Sequence, residues 1–292
     1  MILYDFIMST NDKKVSISTS ITMSVVGILG NGEIGSSLHK VYQLAGDTDV
    51  IVRDPFQGLD ANLSHCDIVN VCIPFGNYDG FVKVLRDLQL REGCVVIIQS
   101  TVAVGCTDRA QADLPTLVFA QSPVRGVHPY LAEGLLTFEK YVGVSDRFAG
   151  DDATASFLTQ HLTSLGMKPV VCRAKESELA KLVSTTLYGV NIAAITDVSK
   201  ICEGAGVDFE KVFTQWQTGY NAGYTALGKS NVCRPVLTPV PENKEDGKQV
   251  IGGHCVLENC FILEREMAET TLSSFVLRYS ERYSERNQNR NK

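Results

Sequence analysis

From residue 24 to residue 172, short apolar runs alternate with stretches of helical period. Residues 24–29 read as a buried strand and residues 33–45 as the helix that follows it. Residues 50–52, 68–73, 95–98, 116–120 and 141–144 are further strands, with helical windows between several of them, such as 78–88. Residues 152–165 read as a helix ended by Gly166, and residues 168–172 as one more strand. Strand and helix alternating at this spacing predict an α/β fold, a doubly wound parallel sheet with helices on both faces.

After Cys172 the strands stop. Residues 176–205 carry one long helical pattern, with Leu179, Leu182, Val183, Leu187, Val190, Ile195, Val198 and Ile201 forming an apolar stripe. Gly204 and Gly206 supply the stop. About 30 residues of helix span about 45 Å, more than a small domain needs. The helix is therefore expected to bridge domains or to pack against a second copy of itself in a homodimer. A second helix is expected near residues 209–216, then a polar connection over 229–250 bearing Pro235, Pro239 and Pro241, then a last helical stretch over about 256–279. This divides the chain into an N-terminal extension (1–22), a dinucleotide-binding domain (23–172), an all-α dimerisation or substrate domain built on the long central helix (173–280), and a polar, frayed tail (281–292).

Hydrophobic residues make up 44% and charged residues 21%, which excludes a disordered or collagen-like chain. The net charge of −6 excludes nucleic-acid binding by bulk charge, so an anionic ligand needs a local site. No unbroken apolar run reaches the roughly 18–20 residues of a membrane span, and no signal peptide is read at the N-terminus. The nine cysteines are odd in number and contain no Cys-x-x-Cys pair. Free thiols in a reducing cytoplasm are expected.

The first candidate site is Gly30-Asn31-Gly32-Glu33-Ile34-Gly35, a G-x-G-x-x-G between an expected strand and an expected helix. In a Rossmann-type fold Gly30 serves the tight turn, Gly32 the approach of a pyrophosphate, and Gly35 the packing of helix on strand. The free N–H groups at the helix start then face the phosphates. Asp54 follows the second strand, where a carboxylate accepts the ribose hydroxyls and repels a 2′-phosphate. NAD is expected over NADP, although the neighbouring Arg53 is able to pair with a 2′-phosphate. The second candidate is Cys255 in Gly252-Gly253-His254-Cys255, a thiol between a loop and a helix. A zinc site from His254, Cys255 and Cys260 is a poor alternative, because adjacent residues do not easily share one ion and no fourth ligand is evident. Lys181, by composition alone, is a solvated helix lysine.

Five segments together resemble the UDP-glucose/GDP-mannose dehydrogenase family, and the UDP-N-acetylmannosamine dehydrogenases within it most. They are residues 30–35; Gln99-Ser-Thr-Val-Ala-Val-Gly105, like E-S-T-V-x-x-G; Ser122-Pro-Val-Arg125 with Lys140-Tyr-Val-Gly143, like S-P-E-R and K-x-V-G-G; Ser177-Glu-Leu-Ala-Lys-Leu to Val190-Asn-Ile-Ala193, like A-E-L-x-K-L…V-N-I-A; and residues 252–255, like G-G-H-C. The resemblance implies oxidation of the C6 alcohol of a nucleotide sugar to a carboxylate with two NAD. Cys255 would trap the aldehyde as a thiohemiacetal, which is oxidised to a thioester. Lys181 would stabilise the oxyanions, and Thr101 would place a water or the nicotinamide.

The chain departs from the family where Val124 replaces a glutamate, Thr185 an asparagine and Asn259 an aspartate, and where residues 247–250 replace a P-G-P-G segment. Neither valine nor asparagine acts as a carboxylate base. Family members also continue into a third domain that binds the nucleotide, and 37 residues after Cys255 are too few to build one. Two alternatives stay open. One is a single-step dehydrogenase of a smaller hydroxy substrate using Lys181. The other is a catalytically degenerate NAD-binding homologue.

Overall fold

The computed structural model describes residues 24–46, 49–240, 251, 253–266 and 271–290. The expected extension over 1–22, residues 247–250 and Gly252 lie outside the described residues. The chain divides into two compact units between Lys181 and Leu182.

The first unit is built on one eight-stranded sheet. Its strands are β1 (Val26–Leu29), β2 (Ile51–Asp54), β3 (Leu59–Asp60), β4 (Ile68–Val71), β5 (Val95–Ile98), β6 (Val118–Gln121), β7 (Glu139–Val144) and β8 (Lys168–Arg173), in the order β3-β2-β1-β4-β5-β6-β7-β8. Five helices connect them: α1 (Glu33–Leu44), α2 (Tyr78–Asp87), α3 (Cys106–Asp113), α4 (Leu131–Thr137) and α5 (Asp152–Ser164). β2, β1, β4, β5 and β6 run parallel, with Gly27 in register with both Ile51 and Val69. Pairing reverses at β2·β3 and at β6·β7, so β7 and β8 form a parallel pair set against the rest. The fold is thus the expected doubly wound, Rossmann-type α/β sheet, with two reversals that periodicity alone did not reveal.

Every residue of β1, β4, β5 and β6 is buried. That is why these strands are continuous apolar runs rather than alternating ones. Ile28, Ile68, Ile97 and Val118 from the sheet pack with Leu38 and Val41 of α1 and Leu158 and Leu162 of α5. A chain of polar side chains crosses this core, each donating to the next. Lys140 Nζ donates to Gln99 Oε1 (2.7 Å), Gln99 Nε2 to Asn70 Oδ1 (2.8 Å), and Asn70 Nδ2 to the Tyr42 hydroxyl (2.9 Å). The hydroxyl lies 2.8 Å from His161 Nε2 and donates to it in the neutral tautomer that carries its proton on Nδ1.

Burial among Tyr42 and Phe157 pushes His161 down to about 4. Its folded pKa lies below the ordinary 6.5, so the folded state binds fewer protons than the unfolded state between these values. Stability contributed by the neutral imidazole is therefore present above pH 6.5 and lost as pH falls toward 4. The denaturation midpoint of a His161→Gln variant is expected to vary less over this window than that of the native chain. Parallel curves would place the pH dependence elsewhere.

The second unit is helical. α6 (Ala174–Ala205) begins in the first unit and continues through the boundary; α7 (Trp216–Ala226), α8 (Gly253–Glu266) and α9 (Thr271–Arg290) follow. A π-helical turn, Glu210–Gln215, leads into α7, so the helix expected at 209–216 extends ten residues further. The stretch expected over 256–279 is helical in α8 and α9 on either side of residues 267–270, which lie outside the described residues, and α9 carries helical backbone into the polar tail. Glu, Arg and Gln in that tail are good helix formers, which polarity alone obscured. Ile192 and Ala193 of α6 form a core with Val256 and Cys260 of α8 and Val276 and Leu277 of α9. By length and composition α6 is apolar enough to cross a membrane. Ser184, Thr185, Thr186 and Asn191 break its apolar run, and Leu182, Ile192, Ala193 and Ile195 are buried within the protein.

Candidate active site

The parallel strands end together along one edge of the sheet. β1 is flanked there by β2 on one side and β4 on the other, the switch point at which doubly wound sheets bind ligands. Gly30 follows β1 with φ +92°, and a side chain there would meet the Cys72 carbonyl at 2.9 Å. A Cβ on Gly35 would overlap the Gly30 carbonyl, so α1 lies directly against the end of β1. Gly32 differs from both. Its φ is −70°, and a Cβ there would find nothing within 4 Å. The turn and the packing account for Gly30 and Gly35, but nothing among the described residues requires a glycine at 32. Open space beside the first N–H groups of α1 suits a pyrophosphate.

Asp54 closes the loop from the end of β2. Its Oδ2 accepts the Asn31 N–H at 2.8 Å, and the Arg53 carbonyl accepts the Gly30 N–H at 2.8 Å. Asn31 and Gln57 exchange two further bonds, side chain to side chain at 2.9 Å and Gln57 Nε2 to the Asn31 carbonyl at 3.1 Å. The loop is thereby tied to β2 before any ligand arrives. Arg53 turns toward β3, donating to the Ala61 carbonyl at 2.8 Å and pairing with Asp60 at 2.6 Å. Glu33, the first residue of α1, pairs with His128 at 3.1 Å.

Thr101 lies half-buried just past β5, on the same edge. Ser100 beside it is pinned to the end of β4, donating to the Ile73 carbonyl at 2.6 Å. The segment then turns into α3, whose start is held by Glu178. This buried carboxylate accepts the Gly105 N–H (2.6 Å), the Thr107 N–H (2.9 Å) and the Thr107 hydroxyl (2.6 Å). Burial raises its pKa, and these three bonds oppose the rise. Sequence reasoning assigned Glu178 no role; it fastens the helix of Lys181 to the loop of Thr101. Glu178→Ala strands these buried donors, and a loss of about 3 kcal/mol is expected. That is a fall in Tm of roughly 10 °C for a domain of this size. An unchanged melt would mean that α3 does not depend on the carboxylate.

Lys181 is half-buried and donates to the Val124 carbonyl at 2.9 Å. Val124 itself is buried just past β6. The position where the resemblance expects a glutamate thus still serves the lysine, through its backbone. Glycine loop, Asp54, Thr101 and Lys181 all belong to the first unit and sit at the C-terminal ends of β1, β2, β5 and, by way of Val124, β6.

Cys255 belongs to the second unit, where it is exposed in the first turn of α8. Five positions on, Cys260 is buried and faces the Thr186 hydroxyl at 3.7 Å. The two thiols therefore have different surroundings, and Cys260 is a core residue. Asn259 is buried beside it and Thr185 is half-buried on α6. A Cβ on Gly189 would lie 2.7 Å from Val256, so this glycine lets α8 approach α6. Sequence reading missed Gly189 because its only signal is the absence of a side chain inside a helical pattern.

No family profile matches the chain. Over 180 residues, 60% of its length, the chain is 26% identical to a UDP-N-acetyl-D-mannosamine dehydrogenase of Methanocaldococcus jannaschii. It spans about a third of that curated relative (36%). The fold superposes on the UDP-D-ManNAc dehydrogenase of Pyrococcus horikoshii with a TM-score of 0.66 at 18% identity, covering 88% of this chain and 68% of that one. It also superposes on the 3-hydroxyisobutyrate dehydrogenase of Mycobacterium tuberculosis, solved with L-serine, with a TM-score of 0.63 at 18% identity, covering 89% and 94%. The chain has the Rossmann-type dehydrogenase fold, and in sequence and structure it resembles the nucleotide-sugar dehydrogenases of the UDP-glucose/GDP-mannose type.

Proposed function

We propose that the protein is an NAD-dependent oxidoreductase of nucleotide-sugar type. The observation that carries this is the glycine loop, with Gly32 open where a pyrophosphate belongs and Asp54 beside it, on the same sheet edge as Lys181. The loop amides and the start of α1 bind the pyrophosphate, and Asp54 takes the ribose hydroxyls. Arg53 is engaged by Asp60 and the Ala61 carbonyl, which favours NAD over NADP. When bound, the nicotinamide supplies the hydride acceptor. Lys181 stabilises the alkoxide formed as the substrate hydroxyl loses its proton to water, and Thr101 orients the reacting face. Cys255 would capture the aldehyde as a thiohemiacetal, loss of a second hydride to NAD would leave a thioester on the thiol, and water would then release the acid and free the thiol. The domain limits read from the sequence, association through α6 and a cytoplasmic setting belong to the same proposal.

Val124, Thr185 and Asn259 support a second reading. Without their carboxylates and amide, the site suits one hydride transfer from a smaller hydroxy substrate, with Lys181 sufficient and Cys255 idle. Calorimetry tests the cofactor first. NAD is expected to bind at least about tenfold more tightly than NADP, a difference of about 1.4 kcal/mol. Asp54→Ala should narrow that ratio. Addition of NAD with UDP-N-acetylmannosamine or another UDP-sugar should then produce NADH. Cofactor binding without turnover on any UDP-sugar would sink the nucleotide-sugar assignment and leave the second reading.

A further inference from the structure

Lys140 is buried to within 2% of its surface, among β5, β6 and β7, and among the described residues it forms no ion pair. Its three protons have three acceptors: Gln99 Oε1 at 2.7 Å, the Ser122 carbonyl at 2.6 Å and the Pro123 carbonyl at 3.2 Å. The next carbonyl along the chain, that of Val124, accepts Lys181 at 2.9 Å. Three consecutive carbonyls past the end of β6 are thus shared between two ammonium groups. A buried lysine without a counter-ion is costly and calls for a compensating role.

We propose that Lys140 is a positioning residue for Lys181: by gripping the Ser122 and Pro123 carbonyls it fixes the Val124 carbonyl that aims the Lys181 amine, and its charge opposes the charge on that amine. The proposal rests on the reading of Lys181 as the lysine of the active site. It gives the site a source of electrostatic control where the expected glutamate is Val124. The polar chain through Gln99, Asn70, Tyr42 and His161 anchors Lys140 from behind, so its ammonium has one orientation. The titratable groups facing it are the Cys72 thiol, past the end of β4, and Lys181 on α6. Burial pushes Lys140 down to about 7, the thiol opposing this and Lys181 adding to it. Like charges disfavour one another mutually.

The test needs no turnover. In protein labelled with ¹³C-lysine, the Lys181 side-chain signal is assigned by its loss in Lys181→Arg and followed against pH. In Lys140→Met the signal is expected to change position and to lose the inflection near pH 7 that it shows in the native chain as Lys140 titrates beside it. Lys140→Gln keeps a donor to the carbonyls but no charge. It should restore the signal position at high pH while the inflection near pH 7 stays absent, and it carries the measurement if Lys140→Met does not fold. A Lys181 signal that titrates as in the native chain in the folded variants would overturn the proposal. If the protein also turns over a substrate, the Gln variant should lower kcat and leave KM unchanged. If no substrate is ever turned over, the proposed function fails, but the NMR result still decides whether Lys140 governs Lys181.

Discussion

Gly32→Leu is expected to abolish dinucleotide binding while the protein melts as before; Gly35→Leu is expected to unfold the first unit. The two glycines sit three residues apart in one motif, and the difference between them is physical. Gly32 has extended backbone, φ −70° and ψ −160°, which any residue adopts, and open space lies beyond its Cβ. A leucine there costs the apo protein little and fills the volume a pyrophosphate would take. The apparent Kd for NAD should rise at least about 100-fold, about 2.7 kcal/mol, with Tm unchanged within about 2 °C. At Gly35 the first added carbon overlaps the Gly30 carbonyl, and α1 cannot retreat without leaving β1. A loss of about 3 kcal/mol or more is expected, seen as a lowered melt. Calorimetry and thermal denaturation on the same two variants separate the ligand role from the packing role. NAD binding to Gly32→Leu at native affinity would remove the loop from the candidate site.

That contrast also marks where the sequence could be read. β1, β4, β5 and β6 were legible because strands buried on both faces show as plain apolar runs. The glycine loop was legible because its residue types answer to local geometry. β3 has only two residues, both exposed, and leaves no pattern. α3 reads Cys-Thr-Asp-Arg-Ala-Gln-Ala-Asp, with little helical stripe, and its start is held by Glu178 from another element some 70 positions away. Such an element depends on tertiary contacts that no window of sequence contains. Lys140 and Glu178 were hidden for the same reason. A lysine on a strand and a glutamate on a helix read as surface residues until the fold buries them. Lys181 was singled out through resemblance, and its bond to the Val124 carbonyl could not have been anticipated from a position whose side chain carries no chemistry.

Lys181→Ala is expected to lower kcat by about 10²–10³-fold, the usual cost of removing one group that stabilises a developing oxyanion. Cys255→Ala discriminates the two proposed reactions more sharply. Oxidation of an alcohol to an aldehyde needs a hydride acceptor and a group to manage the alcohol proton, and Lys181 meets the second need. Oxidation of the aldehyde to an acid needs an oxygen or sulfur nucleophile added first, so that a hydride can leave the same carbon. Cys255 is exposed in the first turn of α8, whereas Cys260 on the same helix is sealed in the core. If the product is a uronic acid, Cys255→Ala should reduce the yield from two NADH per sugar to one and leave an aldehyde that hydrazine traps. If the substrate is a small hydroxy compound, Cys255→Ala should turn over at the native rate and Lys181→Ala should not. Loss of all NADH formation in Cys255→Ala, with NAD binding intact, would contradict both, because neither reaction places the thiol in the first hydride transfer.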